Sequence, residues 1–152
     1  MRLATAFALL LAALGVASCS GSSKSTATAA LLVPAETPAS LNGLRRSRGR
    51  AALARDRALD TLAAQHARAM ARAGRMDHAV GTGFARRMKA AGIGAAAENI
   101  ARGQKDVAAV MRAWSRSPGH RRNMLDERMT RYGLASVRAG DGRLYWAMIL
   151  AR

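Results

Sequence analysis

The sequence predicts an α+β domain in which several helices precede a C-terminal β-hairpin. Two observations support this fold class: apolar residues recur at helical spacing through the middle of the chain, and two strand-like segments flank a glycine-rich turn near its end. The domain is expected to occupy residues 40–152, a length that is sufficient to bury a core of its own.

The N-terminus reads as an export signal. Arg2 precedes an uncharged run over residues 3–16, which is too short for the roughly 20 residues that a membrane-spanning helix needs. Small residues follow and lead directly to Cys19, so residues 1–18 predict a signal peptide. The segment resembles a bacterial lipobox, which implies that the Cys19 thiol is lipidated and anchors the chain in a membrane. An ordinary secretion signal with an incidental cysteine is the alternative.

Residues 19–39 are rich in Ser, Ala, Thr and Gly and predict a flexible tether between the lipidated Cys19 and the domain. Ser20 follows the cysteine, where an aspartate would resemble an inner-membrane retention signal. The sequence therefore favours an extracytoplasmic location, anchored at an outer membrane or at the cell surface.

Helical segments are predicted from apolar spacing and from their end signals. Asp56 and Gly74 bracket the clearest helix, with Asp56 as its N-cap. Three further helices are predicted from Pro38 to just before Gly49, from Gly83 to Ala91 and from Asp106 to Ser115. A last helix is predicted to begin at Ser117, and its end is not assigned.

The C-terminal hairpin is predicted from strands over 132–137 and 144–150, joined by the turn 139–142. Because successive side chains of a strand point to opposite faces, Tyr145 and Trp146 are expected on different sides of the sheet.

The composition argues against several classes of function. The chain carries 25 Lys and Arg against 9 Asp and Glu, a net charge of +16, but the basic residues are dispersed and no nucleic-acid-binding motif accompanies them. Nucleic acid is therefore an unfavoured partner. The single cysteine excludes an intramolecular disulfide and a cysteine-rich metal site.

Four fragments, at 76–78, 98–101, 114–123 and 145–146, resemble the CAP superfamily of cysteine-rich secretory, antigen 5 and pathogenesis-related proteins. The resemblance extends over residues 40–152, includes the segment around His66, and is strongest to the short bacterial branch without disulfides. It implies an αβα sandwich with a cleft on one side.

The resemblance also implies that the cleft gathers two histidines and two glutamates, in some members around zinc. His78 and His120 match the histidines, and Glu98 matches the glutamate that precedes an asparagine. The second glutamate is missing, because residues 115–117 read Ser-Arg-Ser.

Two imidazoles and one carboxylate can bind Zn²⁺ with water as the fourth ligand, so His78, Glu98 and His120 are candidate metal ligands. They can equally form a partly buried polar network in which Glu98 joins two loops. His120 is expected to be neutral, because the positive end of its helix opposes an imidazolium. The residues expected to support the cleft are Asn99, Ser117 and Asn123.

Other polar and aromatic residues are expected to have structural roles. His66 lies on the apolar face of its helix and is expected to be a core or boundary histidine, and Trp114 is expected to pack in the core.

The sequence favours a binding module whose cleft takes a lipid, a glycan or a protein of the cell envelope. It contains no Ser/His/Asp pattern, phosphate-binding glycine loop or spare thiol, so enzymatic activity is left open and no catalytic residue is assigned. One alternative is a metal-assisted hydrolase of peptide or envelope polymer. A second is a charge-driven polyanion binder, and a third is that the polar cluster only stabilises the fold.

Overall fold

The computed structural model describes residues 37–152, so the predicted signal peptide, Cys19 and nearly all of the predicted tether lie outside the described residues. In chain order the elements are α1 (Thr37–Arg46), β1 (Ala54–Arg55), α2 (Arg57–Ala73), α3 (Phe84–Ala90), β2 (Ala96–Arg102), α4 (Val107–Arg116), α5 (Pro118–Leu125), β3 (Arg131–Arg138) and β4 (Leu144–Ala151). In this part of the chain, no helix combines the length and the apolarity needed to cross a bilayer.

The strands form one sheet in the order β1-β3-β4-β2, with helices on both faces. The strand pair β1–β3 is parallel and the other pairs are antiparallel. Helices α2 and α3 pack on one face, and α1, α4 and α5 pack on the other. This arrangement confirms the α+β class and the αβα layering that the family resemblance implies.

The central strand β4 supplies side chains to both cores. All eight of its residues are buried, and they alternate between the two layers. Trp146 lies in the core below α1, α4 and α5, whereas Tyr145 lies in the core below α2 and α3. The prediction that these two rings face opposite sides is confirmed.

The ends of helix α2 lie where the sequence predicts them. The Asp56 carboxylate accepts hydrogen bonds from the backbone N–H groups of Ala58 and Leu59, and Gly74 ends the helix in the left-handed conformation at φ +61°. Both termini are therefore fixed by local chemistry that needs no tertiary contact.

Strands β1 and β2 are not predicted from the sequence. The segment around Glu98 and Asn99 was expected to be a loop, but it forms β2, which pairs with β4 along its whole length. Ile100 is its only β-branched residue, and a buried glutamate is unusual in a strand. The pairing with an apolar β4 outweighs this weak local preference. At the other end of the domain, α1 begins at Thr37, one residue before its predicted start at Pro38.

Gly133 permits the close approach of α2 to the sheet. A Cβ atom at this position would lie 2.2 Å from the backbone nitrogen of Asp60 and 2.6 Å from the Cβ of Leu59. The contact is with helix backbone, which cannot move aside as a flexible side chain can. Any residue other than glycine would therefore push α2 away from β3.

We expect Gly133→Ala to lower the free energy of unfolding by ~3 kcal/mol or more, because the added methyl overpacks the interface between α2 and β3. Gly43→Ala in helix α1 is the matched control: its Cβ meets nothing within 4 Å. Alanine should raise helix stability there by up to ~1 kcal/mol. Denaturant unfolding of both variants measures the difference, and equal stability of the two would contradict the packing argument.

Candidate functional site

Glu98 is the centre of a buried polar cluster on the α2 and α3 side of the sheet. It lies on β2, which is an edge strand, yet its side chain is only 1% exposed. Its two carboxylate oxygens have different partners: Oε2 accepts from the Arg87 guanidinium, and Oε1 lies 2.8 Å from Nδ1 of His78. The charge of this buried carboxylate is therefore compensated by an arginine from α3.

Arg87 also determines the protonation of His66. Its Nη1 lies 2.8 Å from Nδ1 of His66, and because arginine only donates, Nδ1 must be unprotonated. The proton is then on Nε2, which faces Glu98 Oε1 at 3.6 Å. Burial lowers the pKa of His66, and the nearby Glu98 offsets this only in part, so His66 is held neutral. His66 is buried, as expected of a core histidine, and it belongs to this polar cluster.

His78 presents its ring to solvent from the loop that follows α2. Its side chain is 53% exposed, although its Nδ1 is bound to the buried Glu98. A carboxylate acceptor favours the tautomer with the proton on Nδ1, so Nε2 keeps its free lone pair. Glu98 thus orients an exposed imidazole whose outer nitrogen is available to a ligand.

An open groove of about 610 Å³ lies beside His78. Its walls come from the glycine-containing loop after His78 and from the start of α3, where Phe84 and Arg86 contribute their side chains. The Arg87 guanidinium lies 5.8 Å from the centre of the Phe84 ring, so the same arginine also contacts this wall. The groove therefore combines a proton acceptor, a cation and one aromatic face.

Asn99 faces the opposite layer of the sandwich from Glu98. Its side-chain Nδ2 donates to the backbone carbonyl of His120 at 3.1 Å, and its Oδ1 accepts from Asn123 at 2.9 Å. Asn123 also donates to the backbone carbonyl of Glu98 at 3.3 Å. Asn99 and Asn123 thus attach α5 to the edge strand β2. Asn99 has this supporting role from a strand, although it was expected to lie in a loop.

His120 lies in the first turn of α5 and is not among the partners of Glu98. Within residues 37–152, the ion pairs of Glu98 shorter than 4.0 Å are with His66, His78 and Arg87. Burial lowers the pKa of His120, and the proximity of His78 lowers it further. The lowered pKa agrees with the expected neutral form of His120. Its main cause is burial, whereas the sequence had suggested the positive end of the helix. Ser117 stands at the N-cap of α5, but its side chain makes no capping hydrogen bond.

Each Glu98 oxygen already has a partner in this structure. Oε2 accepts from the Arg87 guanidinium and Oε1 contacts Nδ1 of His78, so a metal ion bound to Glu98 would have to share Oε1 with His78. Over residues 37–152 no group of three or more His, Cys, Asp or Glu side chains could hold a metal ion. The contacts of Glu98 with His78 and Arg87 are those of the partly buried polar network that the sequence left open, and zinc binding by His78, Glu98 and His120 stays a prediction.

Arg87 is the functional residue that the sequence did not predict. The chain has 22 arginines, and none of the local patterns distinguishes this one. One signal was available: Arg87 follows Phe84 by three residues and so lies on the same helical face, and Phe84 packs partly buried against the core. An unpaired cation would be costly on such a face. A buried arginine on a helix predicts an acid nearby, and Glu98 is the next acidic residue along the chain.

The sequence matches the profile of the cysteine-rich secretory protein (CAP) family over residues 39–150, so the chain belongs to this family. Its match to an uncharacterized protein of Bacillus subtilis, YkwD, is 45% identical over 56 residues. That match covers 36% of this chain and 22% of the relative, so the chain spans only about a fifth of that protein.

Solved structures share the fold. An outer surface protein of Borrelia burgdorferi superposes with a TM-score of 0.71 at 18% identity, covering 82% of this chain and 98% of that chain. An extracellular protein of Bacillus anthracis that contains an SCP domain gives a TM-score of 0.65 at 26% identity, covering 74% and 37%. A cysteine-rich secretory protein of Staphylococcus aureus gives 0.53 at 19% identity, covering 78% and 40%.

We expect Arg87→Met to lower the free energy of unfolding by ~3–5 kcal/mol, because it leaves the Glu98 carboxylate buried without a cation. The double variant Arg87→Met/Glu98→Gln should recover part of this loss, since the uncompensated charge is then gone. Arg128→Met is the control, because its pair with Asp126 is exposed and should matter little. Denaturant unfolding measures all three, and a double variant no more stable than Arg87→Met would contradict the charge argument.

Stability should fall as the pH is lowered below about 6.5, the ordinary histidine value. The pKa values of His66 and His120 are lowered by burial, so the folded state binds fewer protons than the unfolded chain. This stability is present above the unfolded pKa and is lost as the pH falls through the folded values.

The pH dependence is measured by denaturant unfolding between about pH 7.5 and about pH 5, with His66→Asn and His120→Asn each expected to give a shallower slope. An unchanged slope in both variants would contradict the assignment of neutral, buried imidazoles.

Proposed function

We propose that the chain is an extracytoplasmic binding module of the bacterial envelope, with the groove beside His78 as its ligand site. The family membership supports an SCP-type domain, and two of the similar proteins are described as an outer surface protein and an extracellular protein. The lipobox-like segment before Cys19 supports attachment through a lipid anchor at the outer membrane or cell surface. On the other face of the sheet, Asn99 of β2 donates to the backbone carbonyl of His120 and so supports the strand that carries Glu98.

The observation that carries the proposal is the Arg87–Glu98–His78 chain of contacts. The buried ion pair between Arg87 and Glu98 holds the exposed His78 imidazole in one orientation. The Nε2 lone pair of His78 is directed away from Glu98. A histidine that served only packing would not need this exposure. The arrangement is suited to accepting a hydrogen bond from a ligand, because Nδ1 is engaged by Glu98 and the Nε2 lone pair is left free.

A glycan is the ligand class that the groove suits best. The groove is open and sets two polar side chains, His78 and Arg86, among small residues and the Phe84 ring, whereas an apolar lipid needs an enclosed and largely apolar cavity. His78 can accept from a sugar hydroxyl, Arg86 can donate to ring or carboxylate oxygens, and the Phe84 ring offers an apolar face for a pyranose.

The same dyad favours a second candidate, hydrolysis of an envelope polymer. An imidazole oriented by a carboxylate can act as a general base toward water. In that case His78 Nε2 takes the proton of the water as its oxygen bonds to the scissile carbon, and Glu98 stabilises the resulting imidazolium. The imidazolium then gives this proton to the leaving group as the scissile bond breaks. This general-base role involves no metal ion. It differs from the binding proposal because it predicts cleavage of the polymer.

The binding proposal is tested by co-sedimentation of the purified chain with insoluble peptidoglycan. His78→Ala and Arg86→Gln should each weaken binding by about tenfold, the loss expected for one hydrogen bond to the ligand. Arg112→Gln is the matched control, because this exposed arginine of α4 lies outside the groove. Equal binding by all variants, with folding verified by circular dichroism, would refute the groove as the site.

Release of soluble fragments from the same polymer separates the two candidates. If the wild-type chain releases fragments and His78→Ala does not, the dyad is a general base and the chain is a hydrolase. If binding depends on His78 and no fragments appear, the binding module stands.

A further inference from the structure

A second concave surface of the domain is lined mainly by arginine side chains. It has a volume of about 580 Å³, shares no residue with the groove beside His78, and is bounded by the segment after α1, by α5 and by the residues that follow α5. We call it the arginine pocket, after the five arginines that line it: Arg48, Arg50, Arg121, Arg122 and Arg128.

The acidic residues of the arginine pocket are already neutralised. Arg128 binds Asp126 at 2.7 Å, and Arg50 binds Glu127 at 2.5 Å. This leaves the three arginines at positions 48, 121 and 122, which have no acidic partner within 4.0 Å in the part of the chain that the structure describes. All three are exposed, so the pocket presents three unneutralised guanidinium groups to solvent.

The wall of the arginine pocket is held in place by a buried cation. Arg45 is only 1% exposed and donates to the backbone carbonyls of Met124 and Asp126 at 2.7 and 3.0 Å. It also donates to the carbonyl of Ala51 at 2.7 Å, so one side chain ties the segment after α1 to the end of α5. Burial lowers the pKa of Arg45 and the positive charge of Arg50 lowers it further, which indicates how closely positive charge is gathered here.

We propose that the arginine pocket binds a compact phosphate-bearing group, a phosphomonoester or phosphodiester. The planar guanidinium donates two parallel hydrogen bonds that match phosphate oxygens, and several of them around one concavity make a phosphate site. A pocket of about 580 Å³ accommodates one head group, whereas duplex nucleic acid presents its phosphates along an extended backbone. The proposal is independent of the His78 groove and of its ligand.

Two sources could supply this group at an envelope: the head group of an anionic lipid, or the repeating unit of a soluble phosphodiester polymer. The full chain carrying Cys19→Ser, which removes the predicted lipidation, is titrated with phosphatidylglycerol vesicles in one arm and with poly(glycerol phosphate) in the other. Phosphatidylcholine vesicles are the neutral comparison. Binding in one arm identifies that source, and binding in both assigns the shared phosphodiester.

The test variant is Arg48→Gln/Arg121→Gln/Arg122→Gln in this background. Its matched control, Arg57→Gln/Lys105→Gln/Arg112→Gln, removes the same number of charges from exposed positions outside the pocket. We expect the pocket variant to bind at least about tenfold more weakly than the control in whichever arm binds.

Equal weakening of both variants would overturn the proposal, because binding would then follow net charge and not the pocket. Absence of binding in both arms would overturn it as well. Tighter binding of duplex DNA than of either probe, with loss in the pocket variant, would overturn the assignment to a compact group.

Discussion

The buried ion pair between Arg87 and Glu98 is the constraint on which the arrangement of this site depends. A carboxylate on an edge strand would normally face water, but here helix α3 covers it and must therefore supply a cation. Such pairs contribute little net stability, since apolar replacements often serve as well. Their effect in this protein is positional: Arg87 fixes Glu98 and His66, and Glu98 fixes His78.

Strand β2 connects two polar networks because consecutive residues of a strand face opposite ways. Glu98 reaches the α2 and α3 layer, while Asn99 reaches α5 on the other side. The outer edge of the strand is used as well: the carbonyl of Glu98 accepts from Asn123, and that of Ile100 accepts from the Trp114 indole at 3.1 Å. These side chains satisfy groups that an uncovered edge strand would leave open to another chain.

Local signals made much of the fold predictable. Helix α2 and the C-terminal hairpin carry their own caps, turns and periodicity, so their positions follow from short stretches of sequence. Strand β2 does not, because its pairing with β4 joins segments about fifty residues apart and its own composition is neutral. The same holds for the site. His78 and Glu98 were expected near one another and are in contact. The importance of Arg87 follows from its burial beside Glu98, which depends on the tertiary packing. His120 contacts this region through its backbone carbonyl, which accepts from Asn99.

The position of β4 inside the sheet has a consequence for the order of assembly. Among the strands of residues 37–152, β2 pairs with β4 alone and β4 separates it from β3, so β2 cannot join the sheet without residues 144–151. A nascent chain that emerges from its N-terminus would expose Glu98 and Arg87 to water until this last strand had been synthesised. Desolvation of the Arg87–Glu98 ion pair therefore accompanies the closing of the sheet by residues 144–151.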